Sequence, residues 1–149
     1  TDWREIDGEI RWDVPAELPE VQADAHALLQ IFLNLAQNSL RAVEDAPVRT
    51  LTIDVAVEPE TVSIAFSDSG PGVAQPETLF QPFRSGSDGS GLGLYISRAL
   101  ARSFSGDLVH VPQTAGCRFQ ITLKLSRRTL DAAVPSSTAG TSDPFVHCG

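Results

Sequence analysis

The sequence predicts an α+β fold, a two-layer α/β sandwich in which helices cover one face of a mixed, mainly antiparallel sheet. Five segments show the alternation or β-branched composition of strands, and two show a helical period. Most gaps between the strands are too short for crossover helices, so antiparallel pairing should dominate. The predicted elements, in chain order, are strands at about 9–15, 51–57, 61–67, 107–111 and 118–125, with helices at about 24–44 and 91–103.

Local signals support individual elements. Asp24 is a suitable N-cap for the first helix. Glu58-Pro59-Glu60 predicts a hairpin turn between the two strands beside it. The long loop over 69–90 has a helical turn predicted near 77–80. Beyond Ser126 the composition shifts to Ser, Thr, Ala, Gly and Pro, which predicts a domain over 1–126 and a flexible tail over 127–149.

Composition and charge exclude several classes of protein. The net charge of −8 argues against nucleic acid as a partner, and no apolar run approaches the ~20 residues of a membrane helix. Lys124 is the sole lysine, which rules out a Walker A loop and a protein-kinase fold. Cys117 and Cys148 lack metal-site spacing, so we expect a reducing compartment and a buried Cys117. The absence of methionine suggests a part of a longer protein.

Two glycine-rich segments suit a purine nucleotide. Asp68-Ser-Gly-Pro-Gly-Val73 places a carboxylate between a strand and a loop whose glycines allow close approach of a ligand. Gly89-Ser-Gly-Leu-Gly-Leu94 offers backbone N–H groups where a helix begins, and such groups attract phosphate. We therefore expect a base at the first segment and a polyphosphate at the second.

A polar stripe on the first helix points to the same ligand. Asn34, Asn38 and Arg41 are four and three residues apart, so they share one helix face. An amide oxygen can ligate Mg²⁺, and an arginine one turn onward can pair with a phosphate. The alternative is an ordinary solvated helix face, which the downstream glycine segments disfavour.

The order of these motifs resembles the catalytic, ATP-binding domain of bacterial sensor histidine kinases. That domain has the Bergerat (GHKL) fold, shared with gyrase B, MutL and the ninety-kilodalton heat-shock chaperone. The resemblance covers about residues 21–125. Its four boxes look like Asn34-Leu-Ala-Gln-Asn38 (N), Asp68-Ser-Gly-Pro-Gly72 (G1), Leu79-Phe-Gln-Pro-Phe83 (F) and Gly89-Ser-Gly-Leu-Gly-Leu94 (G2).

The resemblance implies a role for each matched residue. Asn38 would carry Mg²⁺, with Arg41 beside the phosphates as the second catalytic residue. Asp68 would accept a hydrogen bond from the adenine amino group. Phe80 and Phe83 would brace a lid, or be plain core aromatics, or both. The implied cofactors are ATP and Mg²⁺. The implied nucleotide-binding residues are Asn34, Asn38, Arg41, Asp68, Gly70, Gly72, Val73, Phe83, Arg84, Gly89, Gly91, Leu92, Gly93 and Leu94.

The resemblance also implies transfer rather than hydrolysis. In hydrolysing relatives a glutamate precedes the metal-binding asparagine by four residues, and here Asn34 cannot act as a general base. His26, His110 and His147 lack the sequence context of a phosphoacceptor, so the acceptor histidine should lie on an upstream dimerisation module. The expected partners are that module and the receiver domain of a response regulator. Neither nucleic acid nor direct membrane contact is expected, and the location should be cytoplasmic.

Some positions depart from the family pattern. Ser39 stands where alanine is commoner, and the short lid Arg84-Ser-Gly-Ser-Asp88 has one cation and an acid near the phosphates. Two alternatives therefore stay open at this point. One is a degenerate nucleotide-binding signalling module, and the other is a serine kinase of the anti-sigma-factor type.

Overall fold

A computed structural model describes residues 2–82 and 92–128 of the chain. Its elements follow the predicted order, and their ends lie within two residues of the predicted ones. The strands are β1 (Glu9–Asp13), β2 (Thr50–Val57), β3 (Thr61–Asp68), β4 (Asp107–Val111) and β5 (Cys117–Lys124). The helices are α1 (Ala25–Val43) and α2 (Gly93–Ser103), with a 3₁₀ turn at Pro76–Thr78.

The sheet is mixed and mainly antiparallel, as the sequence predicts. Its strand order is β1-β2-β3-β5-β4, with β1 parallel to β2 and the other neighbours antiparallel. The hairpin turn is confirmed, because the backbone N–H of Glu58 donates to the carbonyl of Thr61 at 2.8 Å. The register places Asp68, the last residue of β3, opposite Cys117, the first residue of β5. Asp68 therefore lies at an end of the sheet.

The core forms between α1, α2 and one face of the sheet. Along β5 the odd-numbered residues from Cys117 to Leu123 are buried, as the period of two requires. Ile31 and Leu35 of α1 pack into the same cluster and are 0% and 1% exposed. Asp24 is the N-cap of α1 and accepts from the N–H of Ala27 at 2.8 Å, as predicted. In the described part of the chain, no helix is long and apolar enough to cross a bilayer.

The opposite face of the sheet carries a polar network. Arg118 of β5 donates to the carboxylate of Asp54 at 3.1 Å and to the hydroxyl of Ser67 at 2.8 Å. These contacts tie β5, β2 and β3 together on the side away from the helices. Ser67 and Asp68 are adjacent in β3, so their side chains point to opposite faces. Of these two residues, Asp68 is the one that faces the helical layer.

The turn before β5 depends on a glycine. Gly116 has φ +76°, and a Cβ there would overlap the carbonyl oxygen of Asp68. A side chain at this position is therefore both strained and sterically blocked.

We expect Gly116→Ala to lower the free energy of unfolding by about 2 kcal/mol or more, because strain and overlap add. Thermal unfolding measures this effect. Gly93→Ala is the matched control, since nothing lies within 4 Å of its Cβ position and alanine favours the helix. Equal unfolding temperatures for the Gly116→Ala variant and the wild type would contradict the account of this turn.

Candidate functional site

Asp68 sits where three elements meet. Its Oδ1 accepts a hydrogen bond from the backbone N–H of Gly70 at 2.9 Å. The backbone N–H of Cys117 and the hydroxyl of Ser39 also favour the charged form of its carboxyl group, since both lower its pKa. Gly70, Cys117 and Ser39 belong to the loop after β3, to β5 and to α1. The charge of Asp68 is therefore favoured by polar groups from three parts of the fold.

Burial and hydrogen bonding act on the ionisation of Asp68 in opposite directions. Burial raises the pKa of Asp68 above its ordinary value, and the donors from Gly70, Cys117 and Ser39 partly offset this rise. Burial, together with the charge of Asp68, raises the pKa of the Cys117 thiol to about 12, so that thiol is neutral. Cys117 is a buried strand residue, as predicted.

The loop after β3 is shaped by its two glycines. A Cβ at Gly70 would lie 3.0 Å from both the carbonyl oxygen of Ala42 and Oδ1 of Asp68. Gly72 has φ +90°, which glycine adopts readily, and Val73 packs against the core cluster. A cavity of about 510 Å³ opens beside the loop. It is lined by Arg41, Ala42, Asp45, Ala46, Pro47, Ser69, Gly70 and Pro71.

The polar stripe of α1 faces this region and α2. Arg41 donates to Oδ1 of Asn38 at 3.3 Å, so the predicted metal ligand and its neighbouring cation are in contact. The side-chain amide of Asn34 donates to the hydroxyl of Ser97 at 2.9 Å and accepts from Gln30 at 3.1 Å. Asn34 therefore joins α1 to α2, a contact that the sequence did not predict.

Helix α2 begins at Gly93, two residues later than the predicted start at Gly91. Low helix propensity of glycine accounts for a start late in this glycine-rich segment. The N-cap residue Leu92 makes no capping hydrogen bond through its side chain, because leucine has no acceptor. Gly93 is exposed with open space at its Cβ position, whereas Leu94 packs against the core. The first turn of α2 can therefore approach an anion closely.

The first two residues of the predicted F box, Leu79 and Phe80, pack in or against the hydrophobic core. Leu79 is 5% exposed, and the rings of Phe80 and Phe119 meet edge to face at 6.2 Å. The guanidinium of Arg98 lies 4.2 Å from the centre of the Phe80 ring, which ties this segment to α2. For Phe80, the core reading is confirmed. Phe83, Arg84, Gly89 and Gly91 lie outside the described residues.

A second cavity, of about 430 Å³, lies between α1 and strands β1, β2 and β3. Its lining is almost wholly apolar and includes Trp12, Leu18, Leu33 and Phe66. None of the predicted nucleotide-binding residues lines it. Without polar groups to orient a base or a phosphate, this groove is a poor nucleotide site.

Sequence reasoning missed three interactions in this region. Ser39 was noted only as a departure from the family pattern, yet it is 3% exposed and its hydroxyl lowers the pKa of Asp68. Ser97, which is 0% exposed, was not singled out, and neither was Arg98. A polar residue at an apolar helix position was an available signal for both serines. No sequence signal indicated the Arg98–Phe80 contact.

Comparison with known proteins is consistent with this geometry. Residues 23–127 match the family described as histidine kinase-, DNA gyrase B-, and HSP90-like ATPase. The match spans more than half of the chain, so the chain belongs to this family.

Individual relatives indicate which members of this ATPase family the chain resembles in sequence and structure. The chain is 37% identical over 109 residues to the C4-dicarboxylate transport sensor protein DctS of Rhodobacter capsulatus, covering 69% of this chain and 16% of that protein. It is 32% identical over 127 residues to the sensor histidine kinase ZraS of Escherichia coli O157:H7, covering 83% of this chain and 27% of that protein. Full-length ShkA in complex with AMPPNP superposes with a TM-score of 0.70 at 29% identity, covering 83% of this chain and 27% of ShkA.

Within the family, the chain is therefore homologous to the catalytic domains of sensor histidine kinases. It spans between about a sixth and a quarter of the length of these relatives.

Proposed function

We propose that this chain binds Mg²⁺–ATP and donates the γ-phosphoryl group to a histidine on a dimerisation and phosphoacceptor module of the intact kinase. The observation that carries the proposal is Asp68, a partly buried carboxylate at the end of β3 that accepts from the N–H of Gly70 in a glycine-rich loop. An aspartate on a response-regulator receiver domain would then take the phosphoryl group. The domain over 1–126 would act in the cytoplasm, and residues 129–149 of the predicted tail lie outside the described residues.

The base would be selected by Asp68. An ionised carboxylate accepts from the 6-amino group of adenine, whereas the 6-carbonyl of guanine would place two acceptors face to face. Gly70 and Gly72 let the loop pass close to the ring, and Val73 would form part of its wall. The AMPPNP complex of ShkA, a structural relative at 29% identity, supports an adenine nucleotide as the ligand.

The residues of this region suit a magnesium ion that is held jointly by the protein and the phosphates of the nucleotide. Among residues 2–82 and 92–128, no group of three or more His, Cys, Asp or Glu side chains could hold a metal ion. Mg²⁺ commonly binds through one or two protein oxygens together with substrate phosphates and waters, and Oδ1 of Asn38 is such an oxygen. When bound, the ion would neutralise charge on the phosphates. Arg41 and the N-terminus of α2 would hold the phosphate chain.

The amide side chain of Asn34 and its hydrogen bonds favour phosphoryl transfer over ATP hydrolysis. Its amide is hydrogen-bonded to Ser97 and Gln30, and an amide cannot remove a proton from water. The domain would therefore position the γ-phosphate for another nucleophile. His26 lies in the first turn of α1, and His110 lies in β4 against the ring of Phe119. Neither of these histidines has the sequence context of a phosphoacceptor, and nor does His147, which lies outside the described residues, so we expect that the chain alone does not phosphorylate itself.

Incubation of the intact kinase with γ-³²P-labelled Mg²⁺–ATP tests the proposal. We expect label on the protein that is lost in acid and retained in alkali, as for a phosphohistidine, and no label on the 149-residue chain alone. Acid-stable label would indicate a serine kinase instead. Nucleotide binding without labelling would indicate a signalling module that does not transfer phosphate.

A further inference from the structure

The packing of α2 against α1 includes one buried hydroxyl. Ser97 lies one turn after the start of α2 and is 0% exposed, and among the described residues only Ser39 is a comparably buried polar side chain. Its Oγ accepts a hydrogen bond from the side-chain amide of Asn34 on α1 at 2.9 Å. A buried hydroxyl is costly unless it is hydrogen-bonded, and alanine would fit the site with a higher helix propensity. Packing alone therefore does not account for a serine at position 97.

Both ends of the Asn34 amide are engaged. Its Oδ1 accepts from Nε2 of Gln30, one turn earlier on α1, at 3.1 Å. Its Nδ2 donates to Ser97 and also lies 3.5 Å from the carbonyl oxygen of Gly93, the first residue of α2. An amide has both the acceptor that Gln30 needs and the donor that a carbonyl needs, whereas a carboxylate offers no N–H. Asn34 is therefore held in one orientation, with its donor directed at the beginning of α2.

This contact joins the two helices that carry the proposed phosphate-binding groups. On α1, Asn38 lies four residues after Asn34 and therefore on the same face. On α2, the first turn has open space at Gly93, and the N-cap residue Leu92 makes no capping hydrogen bond through its side chain. Because Ser97 is one turn from that start, its bond to Asn34 fixes where the start of α2 lies relative to Asn38.

We propose that Asn34 is a positioning residue for the phosphates, which acts through Ser97 and fixes the span between Asn38 on α1 and the first turn of α2. This inference rests on the proposed function, because it assumes that the triphosphate and its Mg²⁺ lie in that span. Asn34 would not touch the nucleotide, although the family resemblance implies that it does. Ser97, which follows the four boxes, would become a determinant of triphosphate affinity.

The test is a calorimetric double-mutant cycle of Asn34→Ala, Ser97→Ala and the double variant. Mg²⁺–ATP is titrated directly, and adenosine, which has the base but no phosphate, is measured by displacement of ATP. Each single variant should bind ATP about three- to tenfold more weakly, and the double variant should bind no more weakly than the singles, because one bond carries the effect. Binding of adenosine should be unchanged, since the base would be held by Asp68 at the end of β3.

Ser103→Ala is the matched control on α2. Ser103 is exposed, and its hydroxyl donates to the carbonyl oxygen of Leu100 at 2.6 Å within the same helix. Its removal should leave both affinities unchanged. Thermal unfolding is measured for every variant, and Ser97→Ala should fold, because alanine is smaller than serine and favours helix.

Each outcome separates the possible roles of Asn34. If wild type binds no ATP, the proposed function fails and this inference with it. If wild type binds ATP and Ser97→Ala keeps its affinity, the inference alone is wrong, and a loss confined to Asn34→Ala would then place Asn34 on the nucleotide itself. Losses that add in the double variant would also overturn it. So would equal weakening of ATP and adenosine with a lower unfolding temperature, since a merely structural role predicts that result.

Discussion

Replacement of Asp68 with Asn is expected to weaken ATP binding about 100-fold, as measured by calorimetry. The N–H of Gly70 donates to this side chain, and the adenine amino group would be a second donor. An asparagine must turn its NH₂ group toward one of these donors, so one pairing is lost whichever way the amide lies. The negative charge that strengthens the remaining bonds is also lost.

The same variant should alter how stability depends on pH. The pKa of Asp68 in the folded chain is raised above 3.8, so the folded state binds its proton more tightly than the unfolded state does. The stability associated with that proton is fully present below about pH 3.8 and is lost as pH rises through the folded pKa. The asparagine variant has no such loss. Its unfolding temperature should therefore improve relative to wild type as pH rises from 4 to 7.

Two results would contradict this account of Asp68. Unchanged ATP affinity in the Asn variant would place base recognition elsewhere. A wild-type stability advantage that grows from pH 4 to 7 would show that the folded state favours the charged carboxylate. Control titrations with the Ser67→Ala variant separate loss of the carboxylate from general disturbance of β3.

Replacement of Asn38 with Ala is expected to remove the dependence of ATP binding on Mg²⁺. In wild type, affinity should rise when Mg²⁺ replaces a chelator, because Oδ1 of Asn38 can complete a coordination sphere shared with phosphate oxygens. That oxygen accepts from Arg41 at 3.3 Å, so Asn38 would hold the ion with Arg41 beside it for the phosphates. Calorimetry with and without Mg²⁺ measures the effect, which we expect to be about tenfold or more in wild type and absent in the variant.

Gln37→Ala is the control for Asn38, because Gln37 is the preceding residue and is exposed. It should retain the Mg²⁺ dependence. Should Asn38→Ala also retain it, the metal would be held by other groups and the role assigned to Asn38 would be wrong.

The fold was predictable because its elements follow simple periodic rules. Helix α1 was placed to within one residue, since Asp24 marks its start and apolar residues recur at helical spacing. β4 was placed at its observed bounds, and β3 and β5 to within one residue. The parallel pairing of β1 with β2 was not predicted, because strand order depends on tertiary packing that no local pattern encodes.

The sequence predicted those parts of the candidate site whose residues lie close together along the chain. Asp68, Gly70 and Gly72 form one short segment, in which the N–H of Gly70 bonds to the Asp68 carboxylate. The close approach of this backbone to a ligand stays a prediction. Contacts between distant segments were not predictable. The Asn34–Ser97 bond joins α1 to α2, and the effect of Ser39 on the pKa of Asp68 connects α1 with β3. Such pairs depend on how helices sit on the sheet, which sequence periodicity does not specify.

A crystal structure of the chain with Mg²⁺ and AMPPNP tests the central claim most directly. The account predicts the adenine 6-amino group within hydrogen-bonding distance of the Asp68 carboxylate and the phosphates beside Asn38 and the first turn of α2. A nucleotide seated in the apolar groove beside Trp12 and Leu33, with the Asp68 pocket empty, would contradict it.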